Sequence, residues 1–396
     1  MITSSKRFRP AFVLVFAAAA TFATPPAFAQ TATDRDGLEV QKARAKTLEL
    51  HQRKTYYDAT MWDLSDLPAY VPQQTVSGPI RFWGNNYLLD SGLGQDWEKE
   101  FRRFHPDAKF DLTNLKSALI ATAGLVSGLA DISANRHITF AEVESFERMY
   151  NYTPFGVTMA TGAYDVNGWM AAFCIVVHKD NPLAQLTVEQ LDGIYGTARD
   201  GGWDGTTWHP EAARGPEKNL RTWGQLGLTG DWADKPIHVY GLNLRYNNCD
   251  QFEREVFQGG DKWNENLREY ANYVKPDGTL AISAQQLMKD VSADRYAIGW
   301  TGIQNLTPTT KALAVAPRGG GAAVPLTIRT VRDRRYPLSL DMFLYLNRKP
   351  GTPLDPKLKE FLRFVLSREG QAAVARDGKY LPLTAALVQR ELKKLD

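Results

Sequence analysis

Ala172-Phe173-Cys174-Ile175-Val176-Val177-His178 is the stretch on which the fold turns. Six apolar residues in a row, without polar alternation and at strand length, predict a strand covered on both faces. A sheet of that kind needs helices against it, and the sequence on either side supplies helical patterns.

Ile80-Arg-Phe-Trp83 predicts a strand ending at Gly84, followed by Asn85-Asn86 and a helix that places Trp97, Phe101 and Phe104 on one face. A helix is expected from about Ser117 to Gly128, where glycine suits the stop, and then a short buried strand at Ala130-Asp-Ile132. Thr139-x-x-Glu142, Thr187-x-x-Gln190 and Ser283-x-x-Gln286 each have capping-box spacing. Ile237-His-Val-Tyr240 and Leu340 to Leu346 supply further strands. Asp355 before Pro356 opens a helix with apolar residues at 358, 361, 362, 365 and 366, and a second helix runs from Ser367 to a stop at Gly378. Alternation of this kind from Ser77 onward predicts an α/β architecture with mixed or parallel sheets.

The chain has 396 residues, a length for two or three domains. With 43% hydrophobic and 23% charged residues it is globular rather than disordered. Lys6, Arg7 and Arg9 precede an apolar run from Ala11 to Ala20, and Ala27-Phe-Ala29 forms an A-x-A site, so residues 1–29 read as a signal peptide cleaved before Gln30. That leader carries the whole formal charge of +3. Without it the balance is neutral, which removes the bulk attraction expected of a nucleic-acid or membrane-surface protein. An exported, periplasmic location follows, and residues 30–77 read as a charged, partly helical extension or linker.

No G-x-S-x-G, H-E-x-x-H, Walker loop or post-strand G-x-G-x-x-G is present, and the six histidines have no metal spacing. Neither an enzyme nor a resident cofactor or metal is indicated. What recurs instead is small polar residues at strand-to-helix transitions: Asn85 and Asn86, Ser117, Asn135 with Arg136, and Arg245 with Asn247 and Asn248. Amide donors, a guanidinium and convergent backbone N–H groups suit a strongly polar or ionised oxyanion. The same residues also serve as helix caps and surface ion-pair partners. Cys174 and Cys249 are compatible with a disulfide or with two buried thiols. Arg318-Gly-Gly-Gly321 is either an anion nest or a connector.

Leu125-x-x-Gly128-x-Ala130-Asp131-Ile132-x-x-x-Arg136 resembles a segment of the phosphate-type periplasmic substrate-binding proteins of ABC transporters. Asn181-Pro182, Leu186-Thr187-x-x-Gln190-Leu191-x-x-Ile194-Tyr195, Trp223, Pro236-Ile-x-Val-Tyr-Gly241, Ala297-Ile-Gly-Trp300, Phe364-Val-Leu-Ser-x-Glu-Gly-Gln371 and Leu381-Pro-Leu383 follow that family's order. The resemblance implies a two-lobe type II periplasmic-binding-protein fold whose hinge the chain crosses twice. Lobe 1 is expected at 78–165 plus 308–396 and lobe 2 at 166–307. It further implies a monomer that binds inorganic phosphate or a related oxyanion and meets an inner-membrane permease. Asn85, Asn86, Ser117, Asn135, Arg136, Arg245, Asn247 and Asn248 are then the ligand-binding candidates.

The ligand loops depart from the family pattern. Asn85-Asn86 stands where a Ser or Thr is usual, and Leu242 to Asn248 replaces R-x-x-x-S-G-T, with its arginine displaced to Arg245. Arg136 occupies a position where many members have an aspartate that accepts the proton of hydrogen phosphate, so an arginine there favours a ligand with no proton to donate. Two other readings stay open from the residues alone: an envelope protein that keeps the fold without the ligand, and an exported hydrolase.

Overall fold

The computed structural model describes residues 39, 40, 42, 43, 46, 54–166 and 168–396. The signal-peptide reading at 1–29 and most of the charged stretch after it lie outside them.

Two five-stranded sheets organise the chain. Four strands come first: β1 (Gly78–Gly84), β2 (Ala108–Leu115), β3 (Ile132–Asn135) and β4 (Phe155–Thr161). Five follow: β5 (Cys174–His178), β6 (His238–Leu242), β7 (Arg268–Tyr270), β8 (Ala297–Thr301) and β9 (Thr310–Ala312). Strand β10 (Asp341–Leu346) then returns to the first group. The first sheet has the order β2-β1-β3-β10-β4 and the second β7-β6-β8-β5-β9. In each, three parallel strands are followed by two antiparallel pairings, so both sheets are mixed.

Helices α1 (Tyr87–Ser91), α2 (Leu93–Phe101), α3 (Ala121–Val126) and α4 (Phe140–Tyr150) accompany the first sheet. Helices α5 (Val188–Tyr195), α6 (Asn247–Phe257) and α7 (Ser283–Ala293) accompany the second, and α8 (Pro356–Val365) and α9 (Arg368–Asp377) pack back on α2. The run at 172–177 is buried throughout, as a strand covered on both faces must be. Asp355 caps α8 by accepting from the N–H groups of Lys357 (2.8 Å) and Leu358 (3.3 Å). Gly378 ends α9 at φ +63°. The boxes at Thr139/Glu142 and Thr187/Gln190 are both formed.

The chain passes between the sheets twice, and the two passages touch. Phe173 N–H donates to Leu338 O (3.1 Å), Gly162 N–H to Leu340 O (2.7 Å), and the Tyr336 hydroxyl to Phe173 O (2.8 Å). A Cβ on Gly162 would lie 2.6 Å from Met170 O and 2.9 Å from Leu340 O, so only glycine lets the passages approach this closely.

Several expectations need correction. The return to the first sheet comes later than residue 308, because β9 pairs with β5 and Ala314–Ala316 pairs with Gln185–Thr187. Residues 54–77 are no loose linker: Tyr57, Trp62, Leu67, Tyr70 and Val76 join the main core. The Tyr70 hydroxyl donates to the buried Glu360 (2.7 Å), and the N–H groups of Tyr56 and Tyr57 reach Gly378 O. Aromatic anchors spaced along a Pro-interrupted segment bury area without needing a helix.

Strand β3 starts at Ile132 instead of Ala130, since Asp131 turns to hold Arg81 through three hydrogen bonds. The helix expected from Ser117 opens as a 3-10 turn at Ala118–Ile120. No capping box forms at Ser283, which is already helical; Gln286 instead donates to Ala271 O (3.0 Å). Cys174 and Cys249 are both buried free thiols, and burial pushes the Cys174 thiol up to about 12.

Candidate functional site

The segments that follow the carboxyl ends of β1, β3 and β6 meet between the two sheets, the kind of position where ligands sit in open α/β sheets. At the first sheet, β1 ends at Gly84 with φ +121°, and a Cβ there would lie 2.4 Å from Ala134 O. That close approach draws three of the predicted residues together. Asn85 N–H donates to Ala134 O (2.8 Å), Ser117 N–H to Gly84 O (2.9 Å), and Asn135 Nδ2 to Ala118 O (3.4 Å).

Within this cluster the side chains divide. Asn85 Oδ1 accepts from Tyr87 N–H (3.1 Å), and Asn86 Nδ2 bonds to Asp90, so both are engaged in opening α1. Asn135 and Arg136 are different: they are fully buried and gather around Glu142. Glu142 Oε1 accepts from Thr122 Oγ1 and Asn135 Nδ2 (both 3.3 Å). Its Oε2 accepts from Arg136 Nη1 (3.0 Å), Thr139 N–H (2.8 Å) and Thr139 Oγ1 (2.9 Å). The residue that caps α4 thus also fixes Arg136, whose Nη1 donates to His137 O as well (2.9 Å). Arg136 Nε is buried and makes no hydrogen bond among the described residues.

The second sheet supplies the facing wall through α6, which follows β6. Asn247 and Asn248 form its first turn, and Arg245 stands outside it, exposed. The residues that reach the first lobe lie one turn further on. Gln251 Nε2 donates to His137 O (3.2 Å), and Asp250 faces both Arg136 and Glu142. Burial raises the Asp250 carboxyl above its ordinary range, with Arg136 opposing the shift and Glu142 adding to it. Arg254 brings a second cation, and its Nε is also buried with no hydrogen-bond partner among the described residues. Burial, together with Arg254, lowers His137 to about 3, so this imidazole is neutral and Nδ1–H donates to Ile138 O (2.9 Å). Thr206 with Glu147 (2.5 Å) and Phe140 with Trp203 (centroids 5.0 Å) complete the contact between the walls.

Glu142, Asp250, Gln251 and Arg254 were not among the sequence candidates. Glu142 was visible only as a capping residue. The other three occupy positions 250, 251 and 254 of one amphipathic helix, and nothing local distinguishes their face from a solvated one.

Burial also lifts Glu253, on the same helix, to about 7, while Trp263 Nε1 donates to its carboxylate (2.5 Å). A carboxyl raised in the fold contributes stability that is present below its ordinary value near 4.5 and lost as pH rises through about 7. Glu253→Gln is therefore expected to stabilise the protein at pH 8 by roughly 2 kcal/mol and to flatten the loss between those values. Urea unfolding at pH 5 and pH 8 measures both. His137 slopes the other way, since its contribution is lost as pH falls from its ordinary 6.5 toward 3.

Comparison with known proteins adds the following. A family model described as a PBP superfamily domain matches residues 89–369. The "Phosphate-binding protein PstS" of Pseudomonas aeruginosa is 31% identical over 330 residues, covering 83% of this chain and 90% of that one. The protein of the same name from Staphylococcus aureus is 26% identical over 44% of this chain and 48% of its own. Among solved structures, PstS from Borrelia burgdorferi has a TM-score of 0.48 at 14% identity, covering 78% of this chain and 100% of that one. An ABC-type phosphate transport receptor from Vibrio cholerae has a TM-score of 0.46 at 18% identity, covering 76% and 99%.

Proposed function

Because this chain belongs to the PBP superfamily, and to the phosphate-binding branch represented by the Pseudomonas protein, we propose that it captures phosphate between its two lobes and performs no chemical step. In this reading the protein is exported by cleavage before Gln30, works in the periplasm as a monomer, and hands its ligand to the permease of an ABC transporter. Lobe 1 comprises 78–165 with the C-terminal segment from about 325, since Val324 still bridges Val315, and lobe 2 the residues between. The observation that carries the reading is Arg136: a guanidinium 2% exposed, fixed by Glu142 between the lobes, with its Nε left to bind a ligand.

Asp250 answers the question raised by an arginine at position 136. A carboxylate from the opposite lobe, beside Arg136, supplies the acceptor that a protonated phosphate oxygen needs. Sulfate has no such proton and would meet Asp250 lone pair to lone pair. Gripping one ligand from both lobes favours the closed arrangement, which is how binding signals to a transporter.

The test is calorimetry and thermal shift on ligand-stripped protein, residues 30–396, against phosphate, arsenate, sulfate and small carboxylates. Phosphate is expected to raise the apparent stability by mass action. Asp250→Asn is expected to narrow the preference for phosphate over sulfate by about tenfold or more, because an amide can donate to sulfate. No stabilisation of the folded protein by any oxyanion would favour an envelope protein that has kept the fold without its ligand.

A further inference from the structure

A second cluster of arginines lies at the C-terminal end of α6, where Arg318 meets Val256 O, about 9 Å along the helix from Asp250 of the interlobe site. Asp192, on α5 and 2% exposed, is its centre. Arg199 grips Asp192 through both terminal nitrogens (2.7 and 2.6 Å), Arg214 Nε stands 3.1 Å from Oδ1, and Arg318 Nη2 is 3.8 Å from Oδ2. Three guanidinium groups thus share one buried carboxylate.

These residues line a pocket of about 310 Å³, with Lys218 at its mouth. Arg199 is satisfied by Asp192 and by Ala212 O (3.1 Å), and Arg318 donates to Val256 O (2.5 Å). Arg214 is not satisfied. It is 7% exposed, and both of its terminal nitrogens are buried with no hydrogen-bond partner among the described residues. Four N–H donors on one buried cation are a large unmet demand. The acids on the rim do not meet it: Glu189 accepts from Gly319 N–H (2.7 Å), and Glu211 is paired with His209 (2.6 Å).

We propose that this pocket is a second anion site, separate from the interlobe cleft, and that it takes a small organic oxyanion with two negative charges, a phosphate ester or a polycarboxylate. Arg214 presents a planar fork to two oxygens of the ligand. Asp192 holds the cluster in place while neutralising only part of it. The volume is about ten times that of a water molecule and falls at the lower end of small-molecule pockets, so it suits a metabolite rather than a bare ion. The Arg318-Gly-Gly-Gly321 segment has its role here. Three successive glycines at φ +80°, +102° and +127° bring the chain past α5 and turn Arg318 into the pocket.

The test is calorimetric titration of the protein, loaded with one equivalent of inorganic phosphate, with glycerol 3-phosphate and, separately, succinate at low ionic strength. One molar equivalent of at least one probe is expected to bind, and the responding probe tells ester from carboxylate. Arg214→Gln is expected to weaken that binding roughly thirtyfold or more while leaving the protein's affinity for inorganic phosphate in the cleft unchanged. Arg318→Ala, at the partly exposed rim, is expected to weaken it about tenfold and carries the same test should Arg214→Gln fail to fold. Absence of binding by both probes into the millimolar range, or binding that survives both substitutions, overturns the proposal.

Discussion

Arg136→Ala is expected to weaken phosphate binding between the lobes by thirtyfold or more. The guanidinium is almost wholly removed from water, held by Glu142 at 3.0 Å, and its Nε has no hydrogen-bond partner among the described residues. Truncating a charged group buried against its partner costs about 2–5 kcal/mol of affinity, which corresponds to between thirty and several thousandfold. Stability should fall too, because the half-buried Glu142 carboxylate then loses its charge partner and keeps Thr122, Thr139 and Asn135 as donors. Lysine should recover part of the stability and little of the binding, as a point charge lacks the fork. Calorimetry separates the effects: unchanged affinity in a folded Arg136→Ala protein would move the ligand away from this wall.

The largest loss of stability is expected from Asp192→Ala. Arg199 and Arg214 are each about nine-tenths buried, and both depend on this carboxylate for charge compensation. Removing one partner of a buried ionic cluster costs about 3–5 kcal/mol, since the remaining charges stay desolvated without compensation. The consequence reaches beyond α5. Arg199 joins the 199–214 excursion to the helix through Ala212 O and through paired backbone bonds with Arg214, so that excursion should loosen first. Hydrogen exchange at Arg199 and Arg214 is the measurement, alongside urea unfolding. Asp192→Asn, which keeps the shape and loses the charge, should cost nearly as much if charge is the cause.

Much of the architecture was written locally. Asp355 ahead of Pro356, Gly378 after a helical face, and the boxes at Thr139 and Thr187 are readable because capping depends on residues three or four apart. Where the partner lay far away in the chain, local reading failed. Ser283 has capping spacing, yet its N–H donates to Asn272 Oδ1 and the helix begins one residue early. Tyr57 and Tyr70 looked like part of a linker because Gly378, His105 and Glu360, which hold them, are remote in sequence.

The candidate site divides along the same line. The sequence marked Asn135 and Arg136 because they follow a strand, and marked the start of α6 because it follows another. It pointed to Arg245 as the second cation, whereas the structure leaves that residue exposed and brings Asp250 near Arg136, with Gln251 and Arg254 near His137. From its sequence alone this protein was legible as an α/β chain with polar strand ends and a family resemblance, without a familiar motif for covalent catalysis. Only the tertiary structure decided which arginine lost its water, which carboxylate faces it, and that Asp192, Arg199, Arg214 and Arg318 meet. Periodicity and capping act over a few residues, whereas burial of a charge is fixed by whatever the rest of the chain packs against it.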